Sequence, residues 1–390
     1  MTNCYAAIRD LKSDEFPHFY EGTMESILFS PKNIGRLELP NRFVRSATAE
    51  RMADPQGQPL LKLEGLYEKL AQGGVGLIIT GHMYIHPAGK AHPGMTGIYS
   101  DDLIPHLAKL TKVVHQNGGK ITVQINHGGM QCSLETVDIA IAPSVVDKEF
   151  LNRPTRAMTE DDILQTIQAY ADAALRAKHA GFDGVQVHAA HGYLISQFLS
   201  PFINKRQDQW GGELKNRMRF LKEVARFIRQ SVGPKYPMLI KIGMKDGIRS
   251  GLCLKESVRV VAALEEMGFD ALEISGGIGG KTVVNLKKGI RKESEEAYFL
   301  PFAKAARPKT SLPIILVGGL RSKAVMERVI IEGHADFISL CRPLITEPDL
   351  PNLMKAGKKD KSRCLSANNC WPRSEGEGIA CKCPHEKVEP

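Results

Sequence analysis

The chain of 390 residues is long enough for two or three domains or for one large barrel, and it should bury a sizeable core. Hydrophobic residues make up 43% and charged residues 24% of it, which is ordinary globular usage and excludes a disordered or collagen-like protein. The net charge of +9 comes from scattered Lys and Arg, and aromatic residues make up only 6%, so no nucleic-acid partner is expected. A solvated basic face, or a surface that attracts phosphate-bearing cofactors, accounts for the charge.

Membrane and export signals are absent from the sequence. No apolar run approaches the roughly 18 residues of a membrane span, and the first residues mix charges into any signal-like core. Eight cysteines are too few for a disulfide scaffold in a chain of this length. We therefore expect a cytoplasmic protein with no membrane partner.

Eight short apolar runs, bounded by Gly, Pro or charged residues, recur along the chain. Their continuous hydrophobicity is typical of strands that are buried on both faces, as in a parallel sheet covered by helices. In chain order the predicted strands are 42–47, 75–80, 120–125, 184–188, 238–242, 271–275, 313–317 and 335–340.

The segments between these runs have helical spacing. A helix is predicted from Asp161 to Gly181 with Thr159 as its N-cap, and two later helices should end at Gly233 and Gly268. Eight strand and helix units without a second compositional block predict an α/β fold, a (β/α)8 TIM barrel whose largest insertion is 128–158. The expected organisation is an N-terminal extension 1–25, a barrel 26–358 and a cysteine-containing tail 359–390.

Reactive side chains follow the predicted strand ends, where barrels of this kind place their active sites. His188, His191 and Tyr193 follow the fourth strand, and Lys241 interrupts the apolar fifth strand. The two imidazoles could ligate a metal, form a structural pair, or donate to a substrate carbonyl beside a proton-donating tyrosine. The third role suits a loop at a barrel mouth best, because no acidic or thiol ligand adjoins the histidines.

Glycine pairs follow two of the later strands. Gly276 and Gly277 come after the sixth strand, Gly318 and Gly319 after the seventh, and Cys341 with Arg342 after the eighth. Either pair alone is explained by a chain turn. The two pairs together with Arg342 favour a phosphate site, because bare backbone N–H groups approach phosphate oxygens closely.

Five segments carry a more specific signal: VGLIITG, ITVQINHGG, HAAHGYLISQFLSP, WGGELKNR and PIILVGGL. Together they resemble the old yellow enzyme family of FMN-dependent NAD(P)H oxidoreductases, over about residues 26 to 358. The resemblance implies FMN as cofactor and NADH or NADPH as hydride donor. It also implies an ene-reductase that reduces the C=C bond of an α,β-unsaturated carbonyl compound.

The resemblance further implies roles for single residues. It assigns the flavin site to Ser46, Ala47, Thr48, Gly81, His82, Gln124, Lys241, Gly276, Gly277, Gly318, Gly319, Cys341 and Arg342. His188 and His191 would hold the carbonyl oxygen, and Tyr193 would protonate the α-carbon while hydride passes from flavin N5 to the β-carbon. Lys241 stands where the family usually has Arg, which keeps the cation but loses its planar fork.

Two departures from the family pattern are visible. Ala49 stands where many members carry a Thr or Cys that touches the flavin, so a shifted flavin potential is expected. Ala367 replaces the second cysteine of the motif found in iron–sulfur members, and the cysteines of the tail are Cys364, Cys370, Cys381 and Cys383. A tail without metal is expected, with zinc and then an iron–sulfur cluster as the alternatives.

The sequence leaves other functions open. A flavin barrel of this kind could act on a nitro compound, an amine or an enoyl thioester, or serve as an electron-transfer partner that docks through its tail. The chain ends soon after the barrel, so we expect no second flavin domain and electron delivery at the barrel mouth. The physiological substrate, the choice between NADH and NADPH, and a possible homo-oligomer are not determined by the sequence.

Overall fold

The computed structural model describes residues 25–147, 149–279, 286–373 and 376–384. The strands in this part of the chain are β1 (Lys32–Ile34), β2 (Leu37–Leu39), β3 (Phe43–Arg45), β4 (Leu77–Tyr84), β5 (Ile121–Asn126), β6 (Ala140–Ala142), β7 (Thr155–Ala157), β8 (Gly184–Ala189), β9 (Met238–Gly243), β10 (Ala271–Ser275), β11 (Ile314–Leu316) and β12 (Phe337–Leu340). The α-helices are α1 (Leu61–Gln72), α2 (Ile104–Gln116), α3 (Glu160–His179), α4 (Leu194–Leu199), α5 (Leu214–Arg217), α6 (Arg219–Val232), α7 (Leu254–Ala263), α8 (Leu300–Ala306), α9 (Lys323–Ile331), α10 (Arg342–Thr346) and α11 (Leu350–Lys355).

Eight parallel strands of the described residues close into a barrel in the order β3, β4, β5, β8, β9, β10, β11 and β12, and β12 pairs back with β3. Each predicted apolar run overlaps one of these strands, which confirms the (β/α)8 barrel, and the largest difference is at β4, which continues to Tyr84 beyond the predicted end at residue 80. Every residue of β4, β5, β8, β9 and β10 is buried. Burial on both faces explains why these runs are continuous rather than alternating.

A hairpin formed by β1 and β2 packs into the barrel core. Its residues Ile34, Leu37 and Leu39 are buried in one cluster with apolar barrel side chains such as Val44 and Ile315. The sequence did not predict this hairpin, because strands of three residues are too short to show periodicity. Since side chains fill the barrel interior there, functional groups are expected at the carboxyl end of the strands.

The helices differ from expectation mainly at their ends. Thr159 caps α3 in a capping box with Asp162, as predicted. The helix expected to end at Gly233 is divided into α5 and α6 at Met218. The helix expected to end at Gly268 is also shorter: α7 ends at Ala263, and tighter turns follow in which Gly268 N donates to the Glu265 carbonyl.

The segment 128–158 is an insertion, as predicted, and within its described residues it contains the parallel pair β6 and β7. Its apolar side chains form a small separate cluster with Ile203 and Ile278, which lie in the regions after β8 and β10. The insertion therefore packs beside the loops at the carboxyl end of the barrel.

The tail packs on the same end of the barrel. Lys361 forms a bridge with Ser322, and the amide of Ile379 donates to the carbonyl of Glu50 at 3.0 Å. Cys364 and Cys370 are buried by this packing. None of the described helices has both the length and the apolar character that a membrane crossing requires.

Leu39→Ala tests the hairpin in the barrel core. Leu39 is 1% exposed, so its truncation should lower the free energy of unfolding by about 2–5 kcal/mol through lost burial and a residual cavity. Chemical denaturation followed by circular dichroism measures the change. The matched control is Glu38→Ala, whose side chain is exposed, and equal stability of the two variants would contradict the role of the hairpin.

Candidate active site

A buried ion pair lies at the carboxyl ends of β9 and β10. Lys241 and Glu273 are register partners, and Lys241 Nζ is 3.1 Å from Glu273 Oε1. Glu273 is fully buried and Lys241 is 4% exposed. Burial alone would raise the pKa of Glu273, but the Lys241 ammonium and the surrounding hydrogen bonds outweigh it, so the pKa lies below its ordinary value. The Glu273 carboxylate is therefore ionised at neutral pH.

Hydrogen bonds from three further strands or strand ends complete this pair. Glu273 Oε1 accepts from Ser46 at 2.7 Å and from Ser339 at 2.9 Å, while Oε2 accepts from Gln186 at 3.0 Å. Gln186 in turn accepts from Gln124 at 2.6 Å. A buried charge pair is tolerated only when such bonds satisfy its remaining lone pairs.

Sequence reasoning found Lys241 but missed Glu273. Both residues interrupt a short apolar run, MLIKI for the lysine and ALEIS for the glutamate. The same signal, a charge inside a strand that is buried on both faces, would therefore have found both.

A cluster of aromatic rings lies at the carboxyl ends of β4 and β8, with His82 and His188 inside these strands. The Tyr193 ring centroid lies 4.9 Å from that of His82 and 4.8 Å from that of His188, and the His188 and His191 centroids are 5.3 Å apart. His191 has a φ of 61°, an uncommon backbone conformation for a residue other than glycine. The structure thus brings the three predicted catalytic residues together and adds His82 to them.

Burial keeps this cluster uncharged at neutral pH. It lowers the pKa of His82 and His188 well below the ordinary value and that of His191 to about 3. It raises the pKa of Tyr193 to about 12. Neutral imidazoles and a protonated phenol can all donate hydrogen bonds without carrying a charge.

His92 is a further member of the cluster that sequence reasoning missed. Its Nε2 lies 3.3 Å from Nε2 of His82, and its Nδ1 lies 2.8 Å from the carbonyl oxygen of Pro93. Asn126 Nδ2 is 2.9 Å from the other ring nitrogen of His82. The His82 ring is thus held from both sides. No strand-end signal marks His92, because it lies in the middle of a long loop after β4.

One cavity brings together residues from several strand ends. It is lined by Ser46, Ala47, His191, Lys241, Ser275, Gly319, Arg321, Cys341 and Arg342, among others. Of the cations in the lining, Lys241 acts on His191 and, besides the larger effect of burial, lowers its pKa, whereas Arg321 and Arg342 follow β11 and β12. These residues fit a flavin mononucleotide, whose ring gains negative charge on reduction and whose other end is a phosphate.

An unsatisfied donor supports the phosphate end of this cavity. Arg321 is only 9% exposed, and its Nε has no hydrogen-bond partner in the described structure, although Nη1 donates to the Ile290 carbonyl at 2.6 Å. Gly319 lies against Ile290 and has a φ of +74°, a left-handed conformation that residues with a side chain rarely adopt. Arg342 donates to the Ser366 carbonyl at 3.2 Å. The glycine and the two arginines form a cradle that an anion would complete.

The other predicted flavin residues are not among those that line this cavity. Gly81 leaves space for the carboxylate of Glu50, to which its amide donates at 3.0 Å. Thr48 Oγ1 lies 3.0 Å from Cys341 Sγ. Gly277 N donates to the Lys245 carbonyl at 2.7 Å. Gly276 precedes it in the loop after β10, and Gly318 lies in the loop after β11 beside Phe299 and Tyr298. Their roles toward the cofactor stay predictions.

The cysteines of the tail lie near one another. Burial raises the pKa of the Cys370 thiol, and together with the nearby thiols of Cys364, Cys381, Cys341 and Cys383 it brings that pKa to about 12. Within the ranges that the structure describes, no group of three or more His, Cys, Asp or Glu side chains is arranged to hold a metal ion. The tail without metal stays a prediction.

Comparison with known proteins agrees with the barrel fold. The sequence profile of the NADH:flavin oxidoreductase / NADH oxidase family matches residues 27–361. The chain is 35% identical over 345 residues to an NADH oxidase of Thermoanaerobacter brockii, covering 87% of this chain and 52% of that protein. It is 33% identical over 351 residues to an NADPH dehydrogenase of Geobacillus sp. (strain WCH70), covering 90% of this chain and 99% of that protein.

A solved structure is similar as well. The old yellow enzyme homologue from Zymomonas mobilis superposes with a TM-score of 0.74 at 25% identity, covering 86% of this chain and 94% of that one. The chain therefore spans about half the length of the NADH oxidase but nearly all of the NADPH dehydrogenase and of the Zymomonas mobilis homologue.

Glu273→Gln tests the electrostatics of the buried pair. Removal of the carboxylate leaves the Lys241 charge uncompensated, so reduction of bound FMN becomes easier and its midpoint potential should rise by on the order of 30 mV, equivalent to about 1.4 kcal/mol. Spectroelectrochemical titration measures the potential. Glu266→Gln, at an exposed site on the outer surface, is the control. An unchanged or lower midpoint potential in the Glu273 variant would contradict the placement of the flavin beside the Lys241–Glu273 pair.

The neutral histidines predict a pH dependence of stability. In the unfolded chain they bind protons near pH 6.5, whereas the folded state keeps His191 neutral to about pH 3 and His92 to about pH 4. The free energy of unfolding is therefore highest above pH 6.5 and falls as the pH drops toward 4, by about 1.4 kcal/mol per pH unit for each histidine. Urea titrations between pH 7 and 4.5 measure the slope, which His92→Gln should reduce. Identical slopes would argue against a neutral cluster.

Proposed function

The chain belongs to the NADH:flavin oxidoreductase / NADH oxidase family, and from this premise we propose that it is an ene-reductase. The proposed reaction transfers a hydride from NADH or NADPH and a proton from solvent to the C=C bond of an α,β-unsaturated carbonyl compound. Membership confirms the old yellow enzyme resemblance and FMN as the cofactor. When bound, FMN supplies the two-electron redox chemistry that no side chain provides.

The geometry of His188 and His191 supports this proposal. The Ala190 amide donates to Nδ1 of His188 at 3.4 Å, which leaves the proton of the neutral ring on Nε2. The Ser275 hydroxyl lies 2.7 Å from Nε2 of His191, and when it donates there the proton of that ring is on Nδ1. Each histidine then has one N–H free to bind a substrate carbonyl oxygen. Such donors stabilise the negative charge that develops on that oxygen during reduction.

Tyr193 is the single observation that carries the proposal. Its ring packs between His82 and His188, and its raised pKa of about 12 keeps the phenol protonated at neutral pH. A proton donor beside a carbonyl clamp is what alkene reduction requires, because the α-carbon must be protonated. Reduction of a nitro group or oxidation of an amine needs no protonation of carbon, so the arrangement favours the alkene. The proposed partners are the nicotinamide donor and a small unsaturated carbonyl substrate, and the proposed location is the cytoplasm.

The proposal assigns the cofactor to residues of the cavity described above. Lys241 would neutralise the reduced ring, and Gly319, Arg321 and Arg342 would bind the phosphate. Cys341 and Ser46 would contact the remainder of the molecule from neighbouring strand ends. The protein thereby contributes position and electrostatic field, and its own proton donor completes the reaction.

Tyr193→Phe tests the proton donor. It should lower kcat for reduction of 2-cyclohexenone by about 10²–10⁴-fold, the usual contribution of a general acid. The rate at which NADPH reduces the bound flavin should change far less, because that step needs no proton from tyrosine. Stopped-flow absorbance separates the two half-reactions.

Tyr236→Phe is the matched control for this experiment. The Tyr236 hydroxyl donates to the Phe182 carbonyl at 2.8 Å, outside the cluster, so its loss should leave both rates near those of the wild type. If Tyr193→Phe and Tyr236→Phe reduce the enone equally fast, Tyr193 is not the proton donor.

A further inference from the structure

Arg51 brings a positive charge to the edge of the catalytic cluster. It follows β3 in the chain, and its charge acts on three groups of the cluster. Besides the dominant effect of burial, it lowers the pKa of His82 and of His92, and it opposes the rise in the pKa of Tyr193. The proposed reaction gives Arg51 no role, because the carbonyl clamp and the proton donor are complete without it.

The backbone holds Arg51 in an unusual conformation. Its φ is +55°, in the left-handed region that residues with a side chain rarely adopt. Hydrogen bonds fix the chain on both sides: the Glu50 carbonyl accepts from Ile379, and the Met52 carbonyl accepts from Leu60 at 2.9 Å. Strain that is held in place in this way is typical of functional sites.

The guanidinium of Arg51 lacks an acidic partner. Among the described residues no carboxylate forms an ion pair with it, and its Nε is buried without a hydrogen bond. Its guanidinium carbon lies 5.7 Å from the ring centroid of Trp371 in the tail. A guanidinium that lies over an aromatic face can keep the N–H groups in its own plane free for an anion.

A cavity of about 720 Å³ opens beside this guanidinium. Its lining includes the cations Arg51, Lys90 and Arg373, the tyrosines Tyr84 and Tyr99, and one carboxylate, that of Glu135. Lys90 Nζ donates to the Pro55 carbonyl at 2.6 Å, which fixes it against the same wall. Among the described residues of the lining, three cations against one carboxylate give a positive charge. The stacked tyrosine rings, 5.0 Å apart, add an apolar surface.

We propose that this cavity binds an anionic group, a carboxylate or a phosphate, which the substrate carries beyond its reactive bond. The inference rests on the proposed function, since it treats the ligand as the unsaturated carbonyl compound. Arg51 suits the role because a planar guanidinium binds carboxylate or phosphate through two parallel hydrogen bonds. NADH and NADPH also carry phosphates and would bind at the same end of the barrel. The test therefore has to separate an anionic group of the substrate from a phosphate of the nucleotide.

The test compares two substrates that differ in one charge. Cinnamaldehyde is neutral, and 4-carboxycinnamaldehyde carries a carboxylate at the far end of the same alkene. For the flavin-loaded wild type, KM of the carboxylated aldehyde should be at least tenfold lower than KM of cinnamaldehyde. Arg51→Met should remove most of this preference and Arg51→Lys only part of it, because lysine keeps the charge without the fork. Arg36→Met, which removes an exposed arginine on the turn between β1 and β2, should leave the preference unchanged.

Binding without turnover keeps the two proposals distinguishable. Calorimetric titration of the oxidised protein with each aldehyde measures affinity when no nicotinamide is present. Tighter binding of the carboxylate that Arg51→Met abolishes supports the anion site, even if neither aldehyde is reduced. Reduction of both aldehydes with equal KM would overturn the anion site and leave the ene-reductase intact.

The nucleotide provides the last arm of the test. KM values for NADH and NADPH are measured in the wild type and in Arg51→Met. If the substitution raises KM for NADPH and leaves the preference between the aldehydes unchanged, the anion is the nucleotide phosphate. That result would overturn the assignment of the site to the substrate.

Discussion

The carboxylate of Glu273 organises the carboxyl end of the barrel. It pairs with Lys241 and accepts from Ser46, Ser339 and Gln186, so one buried group joins side chains of five neighbouring strands or strand ends. Removing any one partner would leave a buried charge or dipole unsatisfied, which is costly. The same pair contributes to the charge of the cavity, because Lys241 lines it together with Arg321 and Arg342 and is partly offset by the Glu273 anion. Architecture and electrostatics therefore depend on one ion pair.

Burial has a second consequence for the rings after β4 and β8. It keeps the histidines neutral and Tyr193 protonated, so the cluster offers N–H and O–H donors rather than charges. Donors of this kind can stabilise developing charge on a carbonyl oxygen without a fixed cation beside the proton donor. The cations lie beside the cluster instead: Lys241 lines the cavity assigned to the cofactor, and Arg51 lines the cavity beside the tail. The tail contacts Glu50 and Arg51 and therefore lies next to the cavity that Arg51 lines.

The barrel could be predicted from the sequence because strands buried on both faces leave an unbroken apolar run. His188, His191, Tyr193 and Lys241 were found for a related reason, since each is a polar residue at a predicted strand end. His92 and Arg51 were not found, because they lie in loops whose course depends on tertiary contacts. The β1 and β2 hairpin was missed because three-residue strands carry no periodic signal. A local sequence pattern therefore identifies the residues that a strand positions, whereas the residues that loops contribute can be identified only in the folded structure.

The central claim is that this barrel passes reducing equivalents from a nicotinamide to an activated alkene. Its most direct test is the absorption spectrum of the purified, FMN-loaded protein under anaerobic conditions. We predict that one equivalent of NADPH or NADH bleaches the flavin and that one equivalent of 2-cyclohexenone restores its colour, with formation of cyclohexanone. A flavin that the nicotinamide reduces but the enone leaves colourless would contradict the ene-reductase assignment, and failure of the protein to bind FMN would contradict the site itself.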